Sequence, residues 1–472
     1  MRSTLRTPAV VILLALVLGV AACAARATGQ PDGNATAAAT PASAPAGAPA
    51  ATPAPATTPE VADASPAPAA NPVAPAGGAA AAAEWPQWRG PNRDGVAAGV
   101  SAPAAWPKEL KQQWKVTVGT GHSSPVVSEG RVYQFARQGD DEVLIALDAA
   151  TGRELWKTPG LAVPYEMNPA ARGHGKGPKS TPVVAGGRVY TLGIAGTLSA
   201  HDAKTGKLVW RKEFSKQYPQ TSPLYGTAMS PVVEGGLLIA HVGGHDKGAL
   251  TAFNAATGEV KWSFEPDGPA YSSPVVARFG GERQVVTFTQ KEFVSVRAAT
   301  GELLWKLPAK TMYDTNSNTP VVHGDTIIFS PEGKGIVAVR PVRQGANWVA
   351  QEVWANADNE LYMNTPVVHG GLLFGLSARR KGQFFAIDAA TGKTVWQSEG
   401  RAGENAALLN VGGTLLALTN DAGLLVLPAD AKAFAPAARY TVATSPTWAH
   451  PVFLGDRILV KDETTLASLS LK

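Results

Sequence analysis

An eleven-residue motif that recurs along the chain constrains the fold more than any other feature. Its pattern is A-x-D-x-x-T-G-x-x-x-W, and two valines preceded by Ser-Pro or Thr-Pro stand ahead of it in each unit. The copies, with small departures, are Ala146–Trp156, Ala200–Trp210, Ala252–Trp262, Val296–Trp305 and Ala386–Trp396. Units of this size indicate a stacked repeat architecture, because one such unit cannot bury a core alone.

Each unit has the pattern of short antiparallel strands. The Pro-Val-Val element, a Gly-containing turn and an apolar run such as Arg188–Leu192 predict a hairpin. The Thr-Gly pair predicts a tight turn, since Gly adopts positive φ easily, and the strand after it ends at the Trp. No helical period follows residue 85. Antiparallel units of this length are typical of β-propeller blades.

The repeats count to eight blades. Six begin at a proline, a seventh begins near Ala406 and the eighth begins at Pro451. The last unit lacks its Trp-ended strand, whereas a spare strand, Leu110–Trp114, precedes the first complete unit. Adding that strand to the last blade removes a free sheet edge. We therefore predict an all-β fold, an eight-bladed β-propeller of four-stranded antiparallel blades closed by an N-terminal strand.

The N-terminus has the pattern of an export signal. Arg2 and Arg6 precede an apolar run, Ala9–Val20, which is too short to span a membrane and suits a signal peptide. The run ends in Val-Ala-Ala-Cys23, which resembles a bacterial lipobox. That resemblance implies removal of residues 1–22, a lipoprotein signal peptide, and lipidation of Cys23. The alternative is an ordinary secretory signal with an incidental cysteine.

Composition divides the remaining chain. Residues 23–84 comprise the lipidated Cys and an Ala/Pro-rich tether, which we expect to be disordered because proline breaks helices and no apolar face recurs. Residues 85–109 are a lead-in segment, and residues 110–472 are the propeller. The net charge of +5 is small for 472 residues and gives no basis for nucleic-acid binding.

The repeat resembles the tryptophan-docking motif of pyrroloquinoline-quinone (PQQ) propellers. That superfamily contains quinoprotein alcohol dehydrogenases and the noncatalytic lipoprotein BamB of the outer-membrane β-barrel assembly machinery, and this chain is BamB-like in combining a lipobox with the repeat. The resemblance implies that the repeat tryptophans dock neighbouring blades. They are Trp114, Trp156, Trp210, Trp262, Trp305, Trp354 and Trp396. The opening Trp85–Gly95 resembles a segment that precedes many bacterial PQQ-like propellers.

The chemistry of a PQQ enzyme makes demands that the sequence meets poorly. The quinone commonly sits with Ca²⁺ held by oxygen ligands, and a carboxylate base acts on the substrate. Many enzymes of the family also place a vicinal disulfide against the quinone, which one cysteine, Cys23, cannot form. We therefore expect no catalytic residue, no metal site and no bound cofactor. The alternative is a periplasmic PQQ-dependent alcohol or sugar dehydrogenase that binds PQQ with Ca²⁺.

One basic, glycine-rich loop precedes the second blade. Between Tyr165 and Pro182 it carries Arg172, His174, Lys176 and Lys179. It nearly matches a phosphate-binding loop, but a strand and not a helix follows, so we exclude a nucleotide site. The loop either contacts an acidic partner or ligand, or is a solvated surface loop.

Tyrosines occupy the equivalent loops of later blades. If the blades are equivalent, these side chains converge around the funnel, where tyrosine supplies rigid contact area and a hydroxyl. Alternatively, each tyrosine packs only against its own blade. The residues of this candidate binding face, with the accompanying asparagines, are Tyr225, Tyr271, Tyr313, Asn316, Asn318, Tyr362 and Asn364.

Taken together, these features predict a noncatalytic, lipid-anchored propeller that acts as a protein-binding scaffold in the bacterial cell envelope. The resemblance adds a location, the outer membrane facing the periplasm, and a partner from outer-membrane β-barrel protein assembly. Apart from partners we expect a monomer. The quinoprotein dehydrogenase remains the second hypothesis, and a carbohydrate or peptide sensor that uses the tyrosine loops is the third.

Overall fold

Each repeat of the sequence forms one small antiparallel sheet in the computed structural model, which describes residues 84–430 and 432–472. Eight such sheets form the propeller ring, which confirms the predicted fold. The proposed signal peptide, Cys23 and nearly all of the tether lie outside the described residues. Within the described ranges, no helix is long and apolar enough to cross a membrane.

The first four blades follow the chain from residue 126 to residue 308. Each blade has four strands, and a two-residue strand adds to the first. The strands are β2 (Val126–Ser128), β3 (Arg131–Gln138), β4 (Asp141–Asp148), β5 (Glu154–Lys157) and β6 (Leu161–Ala162); β7 (Val183–Ala185), β8 (Arg188–Leu192), β9 (Leu198–Asp202) and β10 (Leu208–Lys212); β11 (Val232–Glu234), β12 (Leu237–Gly244), β13 (Lys247–Asn254) and β14 (Val260–Phe264); β15 (Val275–Phe279), β16 (Glu282–Phe288), β17 (Glu292–Arg297) and β18 (Leu303–Pro308). Two 3₁₀ turns, Pro169–His174 and Arg379–Lys381, interrupt the described chain.

The last four blades repeat this order. Blade seven begins at Ala406, as the sequence predicted, and blade eight has three strands of its own. The strands are β19 (Val321–His323), β20 (Thr326–Phe329), β21 (Ile336–Gln344) and β22 (Asn347–Asn356); β23 (Val367–His369), β24 (Leu372–Ser377), β25 (Gln383–Asp388) and β26 (Thr394–Gln397); β27 (Ala406–Val411), β28 (Thr414–Thr419), β29 (Gly423–Pro428) and β30 (Ala438–Thr441); β31 (Val452–Phe453), β32 (Arg457–Lys461) and β33 (Thr465–Ser470).

The fourth strand of blade eight comes from the other end of the described chain. Strand β1 (Lys111–Thr117) pairs antiparallel with β33, so that Trp114 stands opposite Ser468. This pairing confirms the predicted closure and leaves blade eight with a complete sheet. The register shifts between Gln112 and Trp114, as it shifts beside the Trp of several other outer strands.

The repeat tryptophans lie between adjacent blades. The Trp262 indole donates a hydrogen bond from Nε1 to the Ala298 carbonyl of the next blade, at 3.1 Å. Gly301 of that blade has φ +74°, and a Cβ there would collide with the Trp262 ring. Glycine is therefore required at this turn both by backbone conformation and by the indole packed on it. The indoles of Trp114, Trp210 and Trp354 donate to equivalent carbonyls.

Blade five alters this contact because it lacks the Thr-Gly turn. Trp305, the docking residue before it, donates instead to the side-chain oxygen of Gln284 in its own blade, at 3.1 Å. Its ring lies in an apolar cluster with Phe329 and Trp348 of blade five. Without the Thr-Gly turn in blade five, Trp305 therefore has a different hydrogen-bond acceptor but still packs against the apolar side chains of the next blade.

Candidate functional site

The residue that opens each of six blades is a serine or threonine, and its hydroxyl faces the propeller axis. In each of these blades the hydroxyl oxygen accepts the backbone N–H of the corresponding residue in the blade before it, at 2.8–3.2 Å. His450 occupies the same position in blade eight and donates its N–H to Ser124. We call the six residues the hydroxyl ring: Ser124, Thr181, Ser230, Ser273, Thr319 and Thr365.

A cavity of about 520 Å³ stands over the hydroxyl ring, which forms part of its lining. This volume lies within the range of sites that bind small molecules or short segments of a partner. Six residues of the sequence-based candidate face line it, and they come from the loops before five different blades. They are His174, Lys179, Tyr225, Tyr271, Tyr313 and Tyr362.

One wall of the cavity is a cluster of aromatic rings. His122 and Trp448 stack with their planes 5° apart, and His174 meets the Trp448 indole edge-on at a centroid distance of 4.8 Å. Burial lowers the pKa of His122 to about 3, with His174 and Lys179 adding to the effect. Burial likewise lowers the pKa of His174. These imidazoles are therefore neutral at pH 7, and this wall offers stacking surface without charge.

The opposite wall is formed by the tyrosine loops. The Tyr271 hydroxyl accepts a hydrogen bond from the backbone N–H of Tyr225 at 3.0 Å, and the two rings lie 6.0 Å apart. Lys179 joins this wall to the basic loop, since its Nζ donates to the Tyr225 carbonyl at 2.5 Å. Burial lowers the pKa of Lys179 to about 8, so the amine is still mostly protonated at pH 7.

Exposed apolar side chains lie in the loops before blades three, five and six, where Tyr313 and Tyr362 also line the cavity and Met312 and Leu224 are next in sequence to lining tyrosines. Met312 is 76% exposed, Tyr313 62% and Tyr362 48%, and Leu224 stands beside Tyr225 in the same position. Exposed aromatic and methionine side chains are enriched in the centres of protein interfaces. We call these four residues, Leu224, Met312, Tyr313 and Tyr362, the apolar rim.

The lead-in segment supplies the floor. Trp85 pairs with Val127 on the inner strand of blade one, and Trp88 lines the cavity. Beneath Trp88, the buried guanidinium of Arg93 donates to the Ser230 carbonyl at 2.9 Å, and that of Arg89 donates to the Thr365 carbonyl at 2.9 Å. The segment therefore contacts the inner strands, or the residues that open them, in blades one, two, three, six and seven.

The remaining candidate residues lie away from the cavity. Arg172 and Lys176 are exposed on the outside of the basic loop. The asparagines are buried and hold loop backbone: Asn316 donates to the carbonyls of Thr289, Gln290 and Ala309, and Asn318 exchanges two hydrogen bonds with the backbone of Ser330. Asn364 is equally buried. Tyr165 is half-buried, and its hydroxyl has no partner among the described residues.

Several residues of the cavity were not predicted from the sequence. Sequence reasoning did not single out Trp88, His122, Trp448 or His450, which come from the lead-in segment and the loops of blades one and eight. It used the Ser-Pro and Thr-Pro pairs to count blades and assigned no role to their hydroxyls. The signal was nevertheless present, because a hydroxyl residue precedes the proline in all six of those repeats.

The donor set of the cavity does not fit a Ca²⁺–quinone pair. Ca²⁺ prefers carboxylate and carbonyl oxygens, and the chemistry of an alcohol dehydrogenase needs a carboxylate base. Over residues 84–430 and 432–472, the lining contains neither Asp nor Glu. In the same ranges no group of three or more His, Cys, Asp or Glu side chains could hold a metal ion. What the cavity provides is aromatic surface, hydroxyl groups, one amine and one amide, that of Asn405, whose Oδ1 is buried without a partner among the described residues. One amide oxygen without a carboxylate is too few ligands for Ca²⁺.

The ring of eight blades, with the docking tryptophans between them, defines a PQQ-like β-propeller. The profile of the family described as "Outer membrane protein assembly factor BamB" matches residues 104–167 and 140–398, which together exceed half of the chain. The chain therefore belongs to this family.

Similar proteins have two different functions. An outer membrane protein assembly factor BamB from Shewanella oneidensis is 27% identical over 46% of the chain. The dehydrogenase subunit of an alcohol dehydrogenase (quinone) from Gluconobacter oxydans is also 27% identical, over 61% of the chain. The crystal structure of a quinohemoprotein alcohol dehydrogenase from Comamonas testosteroni superposes with a TM-score of 0.62, at 16% identity, covering 82% of this chain and 80% of the other. That structural likeness shows the fold alone.

The matched segments span only part of each relative's length. The chain spans 55% of the length of the Shewanella oneidensis protein and 40% of the Gluconobacter oxydans subunit. The choice between the two functions therefore depends on the cavity of this chain.

Proposed function

We propose that this protein is a noncatalytic, lipid-anchored propeller of the bacterial cell envelope that binds a segment of a partner protein at the mouth of its funnel. The observation that carries the proposal is the combination of an apolar rim with a cavity lining that lacks carboxylates in the described part of the chain. Such a mouth offers an interface with a pocket at its centre, where binding energy concentrates.

Family membership supports a more specific role. Proteins of this family are described as outer membrane protein assembly factors, so the partner we propose belongs to the machinery that assembles outer-membrane β-barrel proteins. Lipidation of Cys23 would hold the chain at the outer membrane, facing the periplasm, because acylated cysteines anchor through their buried chains. No nucleic acid is involved in this role.

Site-specific photo-crosslinking in cells tests the proposal. A photoreactive residue at Tyr313, on the apolar rim, should crosslink to a subunit of the β-barrel assembly machinery. The matched control is Val395, which is 47% exposed on the outer strand of blade six, away from the mouth. A subunit crosslinked equally from both positions, or from neither, would contradict binding at the mouth.

The second candidate is a PQQ-dependent alcohol dehydrogenase, which the Gluconobacter oxydans relative favours. Calorimetric titration of PQQ, with and without Ca²⁺, tests it together with an alcohol and dye assay. Our proposal predicts no heat at micromolar cofactor and no dye reduction. Stoichiometric Ca²⁺-dependent binding with dye reduction would instead make the cavity an active site.

A further inference from the structure

The hydroxyl ring has donors that the protein does not use. Each of its six oxygens accepts one backbone N–H, and a serine or threonine hydroxyl can also donate its own hydrogen. Within the part of the chain that the structure describes, none of the six hydroxyls donates to another group. All six residues are 2–3% exposed and line the cavity. The ring therefore presents hydrogen-bond donors to whatever occupies the axis.

Two residues of the hydroxyl ring have carbonyl oxygens that already accept hydrogen bonds from arginines. The carbonyl oxygens of Ser230 and Thr365 are bonded by the guanidinium groups of Arg93 and Arg89 below the ring. These two arginines place positive charge under the cavity and leave the hydroxyls as the groups that meet a ligand. Both guanidinium groups lie against the Trp88 ring: the Cζ atoms of Arg89 and Arg93 are 5.6 Å and 5.9 Å from its centroid.

The charge around the ring favours one negative group. The histidines of the cavity are neutral, so Lys179 is its one lining cation among the described residues, and no carboxylate opposes it. The Nη groups of Arg89 and Arg93 under the ring are bonded to backbone carbonyls, so Lys179 is the cation that a ligand contacts directly. One ammonium group with several hydroxyl donors matches a carboxylate. Hydrogen bonds to an ionised acceptor are the strong ones, particularly in a site of low dielectric.

We propose that the hydroxyl ring and Lys179 bind a carboxylate of the partner segment, which is therefore acidic, with apolar or aromatic residues on either side of the acid. This inference rests on the proposed function and names the chemistry of the partner. The carboxylate lies over the ring, and its neighbours contact the aromatic wall and the apolar rim. The bound segment is a peptide, because the rim extends the contact surface beyond the pocket.

Calorimetry on the full chain in detergent tests this with two blocked tripeptides, Tyr-Glu-Tyr and Tyr-Gln-Tyr, which differ by one charge. We expect the glutamate peptide to bind about tenfold more tightly, as a charge-assisted contact should. Ser273→Ala should reduce that preference, because one of the six hydroxyl donors is lost, whereas Ser273→Thr, which keeps the hydroxyl, should retain it. A merely structural effect of Ser273→Ala would weaken both peptides alike.

Three results would overturn the inference. They are equal affinity for the two peptides, no binding of either, and tighter binding of inorganic phosphate than of the glutamate peptide. In each case, a crosslink from Tyr313 to the assembly machinery would leave the proposed function in place. Loss of that crosslink, with a glutamate preference still measured, would instead remove the named partner and keep the carboxylate site.

Discussion

The imidazole of His122 lies parallel to the indole of Trp448, with the ring centroids 5.6 Å apart. His122 precedes the inner strand of blade one, and Trp448 precedes that of blade eight. The stack therefore spans the boundary between blade eight and blade one, next to the hydrogen bond from His450 to Ser124. The aromatic wall of the cavity consequently exists only when the first and last blades are adjacent.

The docking tryptophans differ in one polar contact, which gives a matched pair of variants. The Trp262 Nε1 donates to the Ala298 carbonyl, whereas the buried Trp156 Nε1 has no partner among the described residues. Trp262→Phe should therefore lower the free energy of unfolding by about 1 kcal/mol more than Trp156→Phe, because only the first leaves a carbonyl unbonded. Denaturant unfolding of the two variants measures the difference, and equal losses would contradict it.

His241 should make the protein acid-sensitive. Burial lowers its pKa to about 4; Nε2 bonds the Asp267 carbonyl, and Nδ1 is buried without a partner in the described chain. Since the unfolded imidazole takes up its proton near pH 6.5 and the folded one does not, stability falls as pH drops below 6.5.

His241→Gln tests this directly. Between pH 7 and pH 5 the free energy of unfolding of the wild type should fall by about 2 kcal/mol because of His241, and that of the variant should not. Urea unfolding at several pH values measures it, with His323→Gln, at the end of β19 and only partly buried, as the matched control. Parallel curves for all three proteins would show that His241 is not responsible.

Glu142 has the opposite pH dependence. It is 3% exposed, and burial raises its pKa to about 7 although its side chain accepts the Ile194 N–H at 2.7 Å. A raised carboxyl pKa means that stability is lost as pH rises from about 4.5 to 7. Glu142→Gln should therefore gain about 3 kcal/mol at pH 8 and nothing at pH 4. Thermal unfolding at the two pH values checks this, and a gain at pH 4 would contradict it.

Even a conservative substitution of Arg89 should destabilise the protein. Its fork donates to the carbonyls of Asp94, Thr365 and Pro366, contacts that a single ammonium group cannot all replace. We expect Arg89→Lys to cost about 2–3 kcal/mol of stability, because it leaves buried carbonyls unbonded. Denaturant unfolding measures the cost, with the exposed Arg172→Lys as control. A loss of stability no larger than that of the control would show that the lead-in segment does not depend on the Arg89 guanidinium.

The sequence predicted the architecture well because the repeat is visible residue by residue. The Trp motif and the Pro-led strands locate six blades directly, and the spare strand ending at Trp114 locates the closure. The degenerate seventh blade could still be placed at Ala406, because the motifs of blades six and eight mark where it begins and ends.

The floor of the cavity could not be predicted in the same way. Arg93 bonds a carbonyl 137 positions away and Arg89 one that is 276 positions away, and neither partner is marked by its side chain because both contacts are to backbone. The asparagines illustrate a second limit. Asn316 and Tyr313 are near neighbours in one loop, but the Tyr313 side chain lines the cavity, whereas the Asn316 side chain is buried in the protein. The sequence does not distinguish these two orientations.

The pairing of β1 with β33 also has a consequence for biogenesis. Blade eight draws its strands from both ends of the propeller, so it stays incomplete until residue 470 has been synthesised. Until then, the nascent chain exposes an unpaired sheet edge, which can associate with other chains. We expect the cavity to be completed only as the last step of folding, since its aromatic wall joins blade eight to blade one.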